Sequence, residues 1–219
     1  MDFVKFRTRL GLLILALLAS SAPAAVAGGL DPEVLLEAGA VAPLGDLGDD
    51  YEEPLGFGAG LGYQIGFRLR LQVAPDWTVS PCFHYVKPRS RTGTDATLGE
   101  IETSTSMYRY GVDARYTLPA RPGAARLFLT GGLAVVRDRL REEDDEGQFF
   151  AESCNAVAVA AGVGLRLDLL EISAQYEVNR FTTNRFWSPQ DTGYNWDTIS
   201  IRVGVALPRS FGVPIQRSQ

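Results

Sequence analysis

Hydrophobic and polar residues alternate without interruption between Gly56 and Val73. Every odd position from Phe57 to Val73 is apolar, and every even position is glycine, glutamine or arginine. A period of two is typical of a β-strand. Strands of soluble proteins usually contain about 5–6 residues. A strand as long as this one is typical of a strand that crosses a bilayer at a tilt and continues into water.

The polar face of this strand is rich in glycine, which suits a narrow barrel interior better than a surface exposed to water. In a soluble barrel the large apolar side chains point inward, whereas in a membrane barrel they face lipid. The pattern therefore favours lipid against the apolar face, with glycine and arginine in the lumen.

Similar alternation recurs along the rest of the chain, and the connections between the segments are alternately long and short. With the N-terminus in the periplasm, every long loop falls outside the cell and every short turn inside. The sequence thus predicts an all-β fold, an eight-stranded antiparallel up-and-down transmembrane β-barrel. The predicted strands are Glu33–Val41, Gly56–Val73, Trp77–Lys87, Ser104–Leu118, Ala125–Asp138, Glu152–Asp168, Leu170–Phe181 and Trp196–Leu207.

The N-terminal segment has the three parts of a secretory signal peptide. Lys5, Arg7 and Arg9 precede the apolar run Leu10–Leu18, and Ala25–Ala27 offers a small-residue cleavage site. We therefore expect export of the chain and divide it into a signal peptide at 1–27, a barrel domain at 28–207 and a C-terminal tail at 208–219.

Composition excludes two other classes of protein. The formal net charge is −5 and lysine and arginine form no cluster, so nucleic acid is not expected as a partner. No segment has about 18 consecutive apolar residues, so membrane-spanning helices are not expected.

The pieces that resemble a known family are the signal peptide, the segments E-A-G-A-V-A-P-L-G-D-L and G-F-G-A-G-L-G-Y, and the closing W-D-T-I-S-I-R-V-G-V-A-L. The chain resembles the small eight-stranded outer-membrane β-barrel proteins of the OmpA/OmpX type. The resemblance implies a Gram-negative outer membrane, with its lipid, including lipopolysaccharide, and the barrel assembly machinery as partners. Such barrels commonly end on an aromatic residue, whereas this chain continues past Leu207 with a tail that contains Phe211.

Charged residues at inward positions form the candidate functional site. Eight strands leave room only for side chains, so these ions must pair with one another and fill the lumen. The members are Arg68, Arg70, Arg109, Asp113, Arg115, Arg126, Arg166, Glu171, Glu177 and Arg202, together with Glu37 and Asp168. We interpret them as a structural network in a non-enzymatic structural or interaction protein with four surface loops.

Two other functions fit the same pattern. The first is a narrow channel for ions or small hydrophobic solutes, lined by the same arginines. The second is a secreted, soluble, lipocalin-like binding barrel, which requires the two faces to be reversed.

No catalytic, metal or cofactor site is predicted. His84 points into the lumen, and the run H-Y-V-K lacks the serine and asparagine that follow the histidine of lipid A deacylases. The acidic runs at 46–53 and 142–146 lack the spacing of a calcium loop. The sequence does not identify a ligand for the outer loops.

Aromatic residues near the strand ends are expected to form girdles at the membrane surfaces. These residues are Trp77, Tyr85, Tyr108, Phe181, Trp187 and Trp196. Cys82 and Cys154 lie at inward positions of different strands, and two unbridged thiols are favoured over a disulfide, although export permits one.

Overall fold

The computed structural model describes residues 32–45, 59–95, 99–121, 123–144, 149–183 and 192–207. Strands dominate these ranges, as the alternating pattern predicts. They are β1 (Glu33–Pro43), β2 (Gly60–Ala74), β3 (Trp77–Arg89), β4 (Arg91–Asp95), β5 (Gly99–Thr117), β6 (Arg126–Asp144), β7 (Phe149–Leu167), β8 (Leu170–Thr183), β9 (Thr192–Asn195) and β10 (Thr198–Ala206). No helix in this described part of the chain is long and apolar enough to cross a membrane.

The strands form one closed antiparallel sheet. β1 pairs with β2 on one side and with β10 on the other, so the first and last strands close the barrel. β4 pairs with β5 beyond β3, and β9 pairs with β8 in the same register as β10. The ten segments therefore make eight barrel strands, which confirms the predicted eight-stranded up-and-down barrel.

Burial alternates along the strands and confirms that their apolar faces lie on the outside of the barrel. In β10 every second residue is buried, from Thr198 to Ala206. Leu61 and Leu133 on the outer face are 67% and 63% exposed, whereas Arg68 and Asp113 on the inner face are each 1% exposed. A large apolar exterior around a charged interior is the arrangement that a bilayer stabilises.

The two ends of the barrel differ in their connections. Pro75–Asp76 and Asp168–Leu169 make tight turns at the end where the chain enters β1 and leaves β10. Asp168 adopts a φ of 51°, in the left-handed region that aspartate tolerates better than most residues. The other end carries the longer connections. In outer-membrane barrels the short turns face the periplasm.

Several predicted loops are shorter than expected. β4 and the start of β5 occupy most of the connection predicted between Lys87 and Ser104, and β6 continues through Asp144 into the acidic run at 142–146. β8 and β9 take residues from both ends of the predicted loop 182–195. Outside the bilayer both faces of a hairpin are polar, so the alternation that marks a strand disappears although the strand continues. The start of the predicted second strand, 56–58, lies outside the described residues.

Candidate functional site

A chain of ion pairs crosses the middle of the lumen. Arg68 Nη2 lies 3.4 Å from Glu37 Oε1 and 3.2 Å from Asp113 Oδ2. Arg109 continues the chain, with Nη2 3.0 Å from Asp113 Oδ1 and Nε 2.5 Å from Glu177 Oε2. These residues come from β1, β2, β5 and β8. Their side chains meet because the alternation of each strand turns them toward the barrel axis.

A second group of ion pairs lies nearer the periplasmic end. Arg70 and Arg115 both donate to Glu171 Oε2, the Arg115 contact being 2.6 Å long. Glu33 accepts from Arg70 Nη1 at 2.7 Å and from Arg166 Nη2 at 2.7 Å. Each carboxylate thus bridges two guanidinium groups, and Arg70 contacts both acids, so three arginines share two carboxylates.

His84 connects the central ion pairs to β10. Its Nε2 lies 2.8 Å from Glu37 Oε2, and Arg202 Nη1 approaches the same nitrogen at 3.4 Å. Arg202 is 2% exposed, and no carboxylate of the described chain lies within ion-pair distance of it. Gly66 of β2 leaves room for the His84 ring, since a side chain at this position would overlap the Phe83 carbonyl and His84.

An apolar cluster lies in the extracellular half of the lumen, beside the buried polar side chains of Thr105, Asp138 and Asn179, and the sequence interpretation missed it. Its buried residues are Val41, Ala59, Val86, Met107, Ala134, Val136, Leu140, Ala156, Ala158 and Trp196. Eight of them occupy inward positions of their strands, so their parity could have revealed them. Ala59, at an odd position, was predicted to face lipid; that prediction is wrong, because Ala59 is buried just before β2, where the pairing with β3 becomes irregular between Gly60 and Tyr63. Trp196 was expected in an outer girdle; that prediction is wrong, because its side chain is 1% exposed inside the barrel. Trp196 and the inward Thr198 both have even numbers, and this shared parity could have predicted that Trp196 points inward.

The remaining predicted site residues lie at the periplasmic mouth. Arg126 is exposed and lines a cavity of about 920 Å³ together with Arg70, Arg115 and Arg166. Asp168 is also exposed, and its backbone carbonyl, not its carboxylate, accepts a hydrogen bond from Arg166 Nε at 2.9 Å. Glu33 was not singled out in the sequence, although its inward parity in the first predicted strand was the available signal.

The cysteines lie on the lumen side of the barrel, whereas the aromatic residues predicted for the girdles, Trp196 excepted, lie on its outer wall where the structure describes them. Cys82 and Cys154 are both unbridged, and Arg109 Nη1 donates to Cys82 Sγ at 2.8 Å. On the outer wall the rings of Tyr85 and Tyr108 lie 5.4 Å apart, and Trp77 is 48% exposed near Tyr116. The side chain of Phe181 and all of Trp187 lie outside the described residues.

The arrangement can neutralise charge and fill space. The hydrogen-bonding neighbours of His84 are Glu37 and Arg202, and neither is a nucleophile paired with a base. In the ranges that the structure describes, no cluster of three or more histidine, cysteine, aspartate or glutamate side chains is placed to hold a metal ion. Residues 46–53 and 145–146 of the acidic runs lie outside those ranges.

Gly132 and Gly131 provide a matched test of this packed interior. A methyl group at Gly132 would overlap Asp113 Oδ1, which accepts a bond from Arg109, whereas one at Gly131 would meet no atom closer than 3.9 Å. We expect Gly132→Ala to lower the free energy of unfolding by about 1–3 kcal/mol. Gly131→Ala should leave it nearly unchanged. Urea titration in lipid vesicles measures both; equal effects would contradict the position of Asp113.

A closed antiparallel barrel with an apolar exterior and a charged interior defines a transmembrane β-barrel. The sequence matches the family model of the outer membrane protein beta-barrel domain over residues 12–206, and the chain belongs to this family. The protein is therefore an outer-membrane β-barrel protein, as the resemblance implied.

Solved structures show the same fold. Neisserial surface protein A (NspA) is 15% identical with a TM-score of 0.52, and the match covers 82% of this chain and 98% of that one. The Ail attachment invasion locus protein of Yersinia pestis, solved with the heparin analogue sucrose octasulfate, is 16% identical with a TM-score of 0.51, and the match covers 81% and 99%. A search of the curated proteins finds no significant match.

Proposed function

We propose that the protein is a closed, non-enzymatic scaffold that presents four surface loops from the outer membrane. The observation that carries this proposal is the chain of ion pairs Glu37–Arg68–Asp113–Arg109–Glu177, which reaches from β1 to β8 across the lumen. Outer-membrane lipid, including lipopolysaccharide, surrounds the barrel in this proposal, and the barrel assembly machinery inserts it.

The apolar layer above the ions supports a closed lumen. Met107, Val136 and Leu140 are no more than 4% exposed, at the extracellular side of the ion pairs. An ion that entered from outside would have to pass these packed side chains and the buried Asp138 beside them, and then displace paired guanidinium groups. From the periplasm, the cavity at the mouth reaches Arg70 and Arg115, whose guanidinium groups are held by Glu171.

The absence of a reactive group among the described lumen contacts supports the non-enzymatic part of the proposal. Five inward carboxylates there, those of Glu33, Glu37, Asp113, Glu171 and Glu177, are engaged in ion pairs with arginines, and a carboxylate bound by two guanidinium groups is a poor base. The closed interior leaves the outer ends of the strands and their loops as the surface available to partners outside the cell.

Single-channel recording in planar bilayers tests the closed lumen. We expect the refolded protein to insert without steady conductance. Asp113→Ala, which removes the acid shared by Arg68 and Arg109, should produce measurable current. Glu143→Ala, in the exposed pair with Arg141, is the control and should stay silent. Steady conductance of the unmodified protein that Arg68→Ala or Arg109→Ala abolishes would instead establish the narrow channel.

A further inference from the structure

The outward face of β6 changes abruptly from apolar to basic. Its outward positions are exposed leucines at Leu127, Leu129 and Leu133, followed by Val135. The next three outward positions are Arg137, Arg139 and Arg141, and all three are exposed. Residues two apart in a strand are about 7 Å apart, so the three guanidinium groups form a row that begins where the apolar wall ends.

Tyrosines place this row at the outer surface of the bilayer. Tyr108 of β5 lies opposite Arg137 in register and contacts the ring of Tyr85. Such rings concentrate at the level of the lipid head groups. Arg139 Cζ lies 5.5 Å from the centre of the Tyr108 ring. Stacking on a ring leaves the N–H groups at the guanidinium edge available to an anion.

The strands beside the row supply small polar residues at the same level. Ser106 lies opposite Arg139 on one side and Ser153 on the other, while Arg137 faces Asn155. Lys87 of β3 adds a cation nearby, donating to Ser104 Oγ at 2.6 Å. The residues directly opposite Arg137 and Arg139 on both neighbouring strands thus carry hydrogen-bond donors and no carboxylate.

Acidic residues begin only at the outer end of the row. Arg141 pairs with Glu143 at 3.0 Å, and Glu143 lies opposite Glu102. Among the described residues, neither Arg137 nor Arg139 has a carboxylate within ion-pair distance. The described residues therefore leave Arg137 and Arg139 without a carboxylate partner at the level of the lipid head groups.

We propose that Arg137 and Arg139, with Arg141 and Lys87 beside them, bind the phosphate groups of a phosphorylated glycolipid in the outer leaflet, the lipid A part of lipopolysaccharide. Guanidinium groups bind phosphate in a two-point geometry. The apolar wall directly below, at Leu133 and Val135, offers the surface for the acyl chains. A soluble anion would use the arginines but not this wall, which is why the lipid fits better.

The test measures lipid retention by the folded full-length mature protein in detergent. Protein incubated with bisphosphorylated lipid A is purified, and native mass spectrometry counts the bound lipid. The double variant Arg137→Gln/Arg139→Gln is compared with Arg121→Gln/Arg126→Gln, which removes the same charge from exposed arginines at the periplasmic end. We expect the first pair to lower the affinity roughly tenfold or more and the second to leave it unchanged.

Further arms separate a lipid site from a simple anion site. Lipid A without phosphate should not be retained above the level of the double variant. Glucosamine 1-phosphate, a soluble head-group fragment, should compete only at far higher concentration than lipid A. Equal retention by the unmodified protein and by the Arg137/Arg139 variant would overturn the proposal. So would retention that does not depend on phosphate, or equal competition by the soluble fragment.

Discussion

Replacing Glu171 with glutamine should lower the free energy of unfolding by about 3–5 kcal/mol, because it leaves buried guanidinium charge without its counterion. Glu171 is 2% exposed and accepts from both Arg70 and Arg115. Arg70 retains Glu33, but Glu171 is the only carboxylate that the described contacts give Arg115. The amide keeps the shape of the side chain, so the loss measures charge and not volume. Urea titration of the protein in phospholipid vesicles gives this free energy.

Two controls separate this effect from a general response to lost charge. Glu143→Gln removes the same charge from the exposed pair with Arg141, where we expect a loss of about 0.2–1 kcal/mol. The double variant Glu171→Gln/Arg115→Gln removes the stranded cation and should recover part of the stability, as a positive coupling in a double-mutant cycle. If Glu171→Gln and Glu143→Gln lower the free energy of unfolding equally, the lumen ions are solvated and the interpretation as a packed network is wrong.

An arginine at Val163 should cost about 2–4 kcal/mol, because it places a charge against lipid near the bilayer midplane. Val163 is 54% exposed and lies midway along the outward face of β7, between Val157 and Leu167. The same urea titration in vesicles measures the cost.

Leu167→Arg is the matched control for depth. It lies on the same strand and the same face, 47% exposed, at the last residue before the periplasmic turn. There the charge reaches the interface, and the expected cost is about 0–1 kcal/mol. Equal costs at the two positions would show that β7 does not cross a bilayer at this depth.

The faces of the strands could be predicted from sequence because lipid and lumen impose opposite chemistry on successive residues. Leu129 and Phe128 illustrate this. Phe128 breaks the polar pattern of its face, yet its parity within the predicted strand Ala125–Asp138 places it inward. It is buried beneath Arg115, whose Cζ lies 3.6 Å from the centre of the Phe128 ring. The same alternation, together with the long and short connections, predicted the closed barrel.

The pairing of the ions could not be predicted in the same way. Alternation along the strands predicts that Glu33 and Arg166 point inward. It does not predict that these two side chains, 133 residues apart in sequence, form an ion pair. Their heights in the lumen depend on the stagger between neighbouring strands, which is a property of the closed barrel. The apolar upper lumen was missed for a different reason. Met107 lies on an inward position of a predicted strand but was not assigned to the interior, and Leu140 lies beyond Asp138, where the predicted strand ended although β6 continues.

Fluorescence quenching by bilayers that contain bromine-labelled phospholipid tests the face assignment most directly. Proteins that keep one tryptophan, Trp77 or Trp196, with phenylalanine at the other tryptophan positions, are refolded into these vesicles. Trp77 is 48% exposed on the outer wall and Trp196 is 1% exposed in the lumen. The account predicts strong quenching of Trp77 and little quenching of Trp196; quenching of Trp196 with Trp77 unaffected would contradict it.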